Sequence, residues 1–157
     1  MSSALSSLLV GLVVLAFFLY RQMAVRPVRQ GRLTLPLVIV IIGLVDLRTA
    51  HGHLPAPALM VLAASLAVGV VLAGLRAYTV RLWLRDGQMV RQGTWLTIAL
   101  WLVAMGLHLG SDAVIARVAP GAGALAEYSV LLYMGVVLAV QQLVVQYRAG
   151  QMAEQTA

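Results

Sequence analysis

The side chains in this sequence that can do acid–base or ligand chemistry are few, and most sit at one end of an apolar run. Asp46 and Arg48 close the second run, His108 and Asp112 close the fourth, and Glu127 opens the fifth. His51 and His53 lie in the Gly/Pro-rich stretch HGHLPAPA between the second and third runs. His108 and Asp112 are spaced i, i+4, which places them on one face of a helix. A carboxylate there can orient the imidazole and strengthen its hold on a proton. Two readings stay open. In one, Asp46, His108 and Glu127 line a water-accessible outer cavity that binds a cation or relays protons, as expected of ionisable groups at membrane depth. In the other, these groups reach to the interface and pair structurally, for instance Asp46 with Arg48 or Arg117.

Metal and cofactor chemistry find less support. His51 and His53 with Asp112 or Glu127 supply zinc- or copper-type ligands, but an H-x-H pair in a solvated loop is also ordinary loop sequence. Only His108 lies inside an apolar run, so bis-histidine haem ligation is not expected. No cofactor is expected. The chain has no cysteine, which removes thiolate metal sites and thiol redox chemistry. No phosphate loop, GxGxxG, HExxH or GxSxG motif occurs, and Ser65 and Ser129 have no base at a recognisable spacing. An enzymatic role is therefore not the leading expectation.

The elements that would position these groups follow from composition. Hydrophobic residues make up 62% of the 157 residues and charged residues only 10%, against about 25% charged in soluble domains. A chain this apolar cannot cover itself with polar surface, so its solvent must be largely lipid. Five runs read as membrane spans: residues 4–20, 33–50, 57–75, 95–113 and 124–146. The expected architecture is an all-α five-helix transmembrane bundle, one domain over residues 1–150, with a polar and disordered tail at 151–157. The first run has its charge behind it (Arg21) and lacks an A-x-A-like cleavage site, so it reads as an uncleaved span. The second run is clean only to Val45, so it crosses only if Asp46 and Arg48 are tolerated near its outer end.

Arginine orients the bundle. Of the 11 cationic residues, all arginine, nine fall on one side: Arg21, Arg26, Arg29, Arg32, Arg76, Arg81, Arg85, Arg91 and Arg148. Arg48 and Arg117 fall on the other. The positive-inside rule then sets the N-terminus outside and the C-terminus in the cytoplasm, in a bacterial plasma membrane. The net charge of +6 needs no nucleic acid to explain it.

On the cytoplasmic side, Arg76, Arg81, Trp83, Arg85 and Arg91, with Tyr78, form a basic aromatic patch. It suits anionic lipid headgroups or the acidic tail of a partner, or is simply the topology signal. Residues 79–94 flank Asp86-Gly87, a preferred two-residue hairpin turn, so they form either a small β-hairpin or an interfacial helix. Ser65, Gly69 and Ala73 make a small-residue stripe on the third run, and Gly106 and Gly110 make a GxxxG pair on the fourth; both invite close helix packing.

The order of these features resembles a known family. A first run ending in a basic loop with Arg26-Pro27, and a third run leading into GLRAYTVRLWLRDGQMVRQGTWLTIALWL (Gly74 to Leu102), resemble the small multi-pass membrane proteins of actinobacteria related to the CcdC-like family. The resemblance covers most of the chain and is densest over Gly74 to Leu102. It implies no established activity and no catalytic residues. The family name alludes to cytochrome c biogenesis, but without a CxxC pair any thiol transfer would belong to a partner. It also implies arginine in some relatives near the position of His108, so no family-wide role rests on that imidazole. The expected function is an accessory, assembly or helix-packing protein that partners the lipid bilayer and either another membrane protein or a second copy of itself. The alternatives are a small transporter or channel built on the outer polar cluster, and a metal-binding or redox membrane protein.

Overall fold

The structure, a computed structural model, describes residue 20, residues 22–28, residue 31 and residues 33–49, 55–120 and 123–155, with no side-chain detail at 49 and 123–128. The elements in chain order are β1 (Arg26–Pro27), α1 (Thr34–Thr49), α2 (Ala56–Thr79), β2 (Arg81–Arg85), β3 (Gln88–Gln92), α3 (Trp95–Val118) and α4 (Gly123–Gln155). The first expected span, 4–20, lies outside the described residues apart from Tyr20.

Among the described residues, three helices are long and apolar enough to cross a membrane: α2, α3 and the Ser129–Gln155 part of α4. This is the mark of a membrane protein. The five-span count is not reached among the described residues: the first expected span lies outside them, and α1 is short. Its 16 residues rise only about 24 Å, short of a hydrocarbon core of about 30 Å. Other boundaries also move. α2 continues four residues past Leu75, and α3 runs on to Val118 because nothing before Pro120 breaks it. The expected tail is helical through Gln155, since Ala149, Gln151, Met152, Ala153 and Glu154 are good helix formers.

α2 is the central helix. α3 runs antiparallel to it, as Ser65 meets His108 near one end while Thr79 meets Thr97 near the other. α4 runs parallel to α2: Tyr133 lies over Gly69 and Arg148 reaches Ala77. α1 packs on α4 through glycines. A Cβ on Gly43 would stand 2.4 Å from the Leu132 backbone nitrogen, and one on Gly135 would stand 2.7 Å from that of Val40. Only hydrogen fits at these points, and the two backbones approach as closely as small-residue packing allows.

The hairpin expected at 79–94 forms. Arg85 pairs with Gln88 across the turn, and Asp86 and Gly87 both have positive φ, 51° and 72°. That is the type I′ requirement, and Asp-Gly is a preferred pair for it. The sheet gains a third strand, with order β1-β3-β2. Pro27 can join because β1 is an edge strand, where its missing N–H costs no ladder bond.

A threonine cluster joins hairpin to bundle. Thr94 caps α3 and exchanges bonds with Thr97 in a capping box. The Thr97 hydroxyl lies 2.8 Å from that of Thr79, and the Thr94 hydroxyl donates to the Thr79 carbonyl at 3.1 Å. Arg148 donates to the carbonyls of Ala77 and Val80, satisfying the C-terminal end of α2.

Among the described residues, buried apolar side chains gather in three small clusters along the bundle: Ala58, Leu62, Ile115 and Ala119 at one end, Ala73, Tyr133 and Val137 midway, and Ala77, Val80 and Val145 beside the sheet, with Val90, Ile98, Ala104, Leu132 and Ala149 buried outside them. Large apolar side chains such as Leu35, Ile41, Val71 and Leu107 stay exposed. In lipid that exposure carries no hydrophobic cost, so close packing and hydrogen bonds must hold the helices together.

Candidate functional site: a polar interior between α2, α3 and α4

Among the described residues, the fully or nearly buried polar side chains are Arg76, Thr97, His108, Ser129 and Gln141. They come from α2, α3 and α4. Helical spacing explains why several share one interior. Ser65, Gly69, Ala73 and Arg76 recur every three or four residues on α2; on the facing side of α3, Ala104, His108 and Asp112 recur every four, with Thr97 two turns before Ala104.

His108 is wholly buried. Its Nδ1 lies 3.3 Å from the Ser65 hydroxyl. Its ring stacks on Tyr133 with centroids 4.1 Å apart and planes 8° from parallel. Its Nε2 faces Asp112 Oδ2 at 3.8 Å, beyond hydrogen-bond length. Asp112 also takes a hydrogen bond from Ser129. Tyr133 donates from its hydroxyl to the Ala104 carbonyl at 2.9 Å. Gly69 makes that ring position available, since a Cβ there would lie 2.5 Å from Tyr133 Cε2.

Four buried atoms in this interior have no hydrogen-bond partner: His108 Nε2, Asp112 Oδ1, and Nε and Nη2 of Arg76. Buried polar atoms are nearly always satisfied, so such atoms point to a proton, a water or a ligand. The His108–Asp112 pair can hold a proton between imidazole and carboxylate. Arg76 moves no proton, because its guanidinium stays charged; its free N–H groups can donate to a water or to the oxygens of an anion.

The expected outer cluster is therefore brought together in part. His108 and Asp112 point inward. Asp46 is half-buried on α1 and held by a contact within the fold, whereas Arg48 and Arg117 are exposed. Glu127 belongs to α4, but its side chain lies outside the described residues, as do His51 and His53. Among the described residues no three metal-ligating side chains gather.

The basic patch is divided by the structure. Arg81 and Arg85 are exposed and Trp83 is half-buried on β2. Arg91 stands across from Arg26 in the register of β1 and β3 and donates to the Gln142 side chain at 3.2 Å. Burial first, then the Arg26 charge, lowers its proton affinity below that of an ordinary arginine. Arg76 does not belong to this surface. It is 1% exposed, inside the bundle, because α2 extends one turn past the end of the apolar run.

The small-residue positions also separate. Ser65, Gly69 and Ala73 are spent within the chain, on His108, Tyr133 and the midway core. A Cβ on Gly106 or Gly110 would meet nothing within 4 Å. Tyr133 was the participant the sequence hid. Its signal is a phenol within an apolar run, whose hydroxyl must find a partner once buried. Compared with known protein families, curated proteins and solved structures, the chain matches none.

Proposed function

We propose that this chain is a five-span protein of the bacterial plasma membrane, N-terminus outside and C-terminus in the cytoplasm, that acts as an accessory or assembly component by pairing with a second copy or another membrane protein. Orientation is supported by charge. Arg26, Arg81, Arg85, Arg91 and Arg148 gather at the sheet end, while Asp46, Asp112 and Arg117 lie toward the other. Positive residues favour the cytoplasmic face.

The carrying observation is the outer face of α3. Gly106 and Gly110 are exposed one turn apart, flanked by exposed Leu102, Val103, Leu107 and Leu109. A glycine costs helix stability relative to alanine, and here no contact among the described residues uses its small size. A close-packing partner helix would. The test is Gly106→Leu with Gly110→Leu in the full chain, solubilised in mild detergent. Wild type is expected to run as a dimer or with a stoichiometric partner, and the double variant as a monomer with unchanged helix content. A monomeric, partner-free wild type would sink the proposal, as would association that survives both substitutions. Because the chain has no cysteine, single introduced cysteines at Gln88 and Arg117 report sidedness directly, with Gln88 expected in the cytoplasm.

A further inference from the structure

We infer that Arg76 is the anchor of an interior oxyanion site at the sheet end of the bundle, built to take a phosphate group, supplied by an anionic phospholipid headgroup or by free phosphate. The chain has five acidic residues, Asp46, Asp86, Asp112, Glu127 and Glu154, and none can neutralise Arg76. Asp86 is at the exposed hairpin tip beside Arg85. Glu154 is exposed, six residues beyond Arg148 on α4. Asp46, Asp112 and Glu127 lie toward the far end. The Arg76 level on α4 falls between Tyr133, over Gly69, and Val145, beside Ala77; the level on α3 is near Thr97. Asp112 and Glu127 are therefore about 20 Å away along their helices. A guanidinium left buried without a counter-charge is strongly disfavoured. The negative end of the α2 dipole offsets part of the cost but supplies no acceptor for the free N–H groups. The counter-ion has to come from outside the chain.

The free atoms specify its shape. Nε and Nη2 are the two unpartnered nitrogens, and their N–H bonds lie along one edge of the planar guanidinium. That edge is the fork that grips two oxygens of one phosphate or carboxylate. The position favours phosphate. Arg76 is three residues from the end of α2 at Thr79, about 4.5 Å in from where the chain leaves the helix, close to headgroup depth. The same end carries Arg81, Arg85 and the facing pair Arg26 and Arg91, which would concentrate anionic lipid.

The experiment uses the delipidated full chain in neutral detergent, with melting temperature and intrinsic tryptophan fluorescence as readouts. Phosphatidylglycerol, phosphatidylcholine and inorganic phosphate are titrated separately. Wild type is expected to respond to phosphatidylglycerol, to inorganic phosphate, or to both, with the pattern naming the source. Arg76→Gln should bind about tenfold to a hundredfold more weakly, the span one charge-assisted bidentate contact supplies. Arg76→Lys should recover part of the loss, and Arg117→Gln, exposed at the far end of α3, should bind as wild type does. An unchanged response in Arg76→Gln, or no response of wild type to either phosphate source, overturns the site. Should Arg76→Gln fail to fold, wild-type protein decides the matter: phenylglyoxal labelling of Arg76 should be suppressed by the responding phosphate source and not by phosphatidylcholine, and equal labelling with both overturns it.

Discussion

Gly69→Ala is the sharpest test of the interior, because one added carbon should dismantle several contacts together. The new Cβ would lie 2.5 Å from Tyr133 Cε2, 2.9 Å from Cζ and 3.0 Å from the hydroxyl oxygen. The ring must shift to clear it, and a shift off the His108 face weakens the stack. Forcing a side chain out of a packed site costs about 1–3 kcal/mol. Displacement also puts at risk the hydroxyl bond to Ala104, worth about 1 kcal/mol, and the stack on His108, worth about 0.5–1.5 kcal/mol. Better helix propensity returns about 0.5–1 kcal/mol. The net expectation is a loss of about 2–4 kcal/mol, the balance of those terms. Gly74→Ala is the matched control. It makes the same change on the same helix where a Cβ meets nothing within 4 Å, and should be neutral or slightly stabilising. Equilibrium unfolding in mixed detergent and SDS micelles compares the two. Equal stabilities for Gly69→Ala and Gly74→Ala would refute the packing argument, and Gly69→Ala combined with Tyr133→Leu should recover part of the loss by removing the obstructed ring.

Two further substitutions probe the sheet end. Thr94→Ala removes the α3 cap and its bond to the Thr79 carbonyl, and should lower stability by about 1–2 kcal/mol in the same unfolding assay, with Thr94→Ser close to wild type. Gly87→Val places a β-branched residue at φ 72°, a conformation it adopts only under strain; proteolysis of the 81–92 segment should quicken while α2, α3 and α4 stay intact, and an unchanged cleavage rate would count against the type I′ turn.

How much of this was legible in the sequence depends on the range of the interaction. The hairpin was readable because Asp86-Gly87 imposes its own backbone geometry, and the arginine asymmetry was readable because it needs no partner. The third strand was not, since two residues containing Pro27 carry no strand pattern and join only because β3 presents an open edge. Arg76 read as a loop residue because the apolar run stops at Leu75; the helix instead continues to Thr79, held by Arg148 from 71 residues away, and carries the guanidinium inside. His108 and Asp112 were visible as an i, i+4 pair, but Ser65, 43 residues from His108, and Tyr133 reach them only through tertiary packing.

Two kinds of polar group occupy this interior, and they call for different explanations. Helices in lipid gain little from burying apolar surface against each other, so hydrogen bonds and small residues must fix which turn faces which. Ala58 with Ile115, Ser65 with His108, and Thr79 with Thr97 do this for α2 and α3. Seven residues along α2 from the first pair to the second are matched by seven in the opposite direction along α3. A slip of one helical turn would break every pair. Register thus accounts for Ser65, the threonines and the Nδ1 side of His108. It cannot account for the Nε and Nη2 groups of Arg76, which fix no register because they touch no partner. Replacing Arg76 with an apolar residue would make the bundle easier to insert and no harder to assemble. Helix register therefore gives no reason for a guanidinium buried here; a positive charge that only orients the bundle serves as well when exposed, whereas an external oxyanion accounts for the burial.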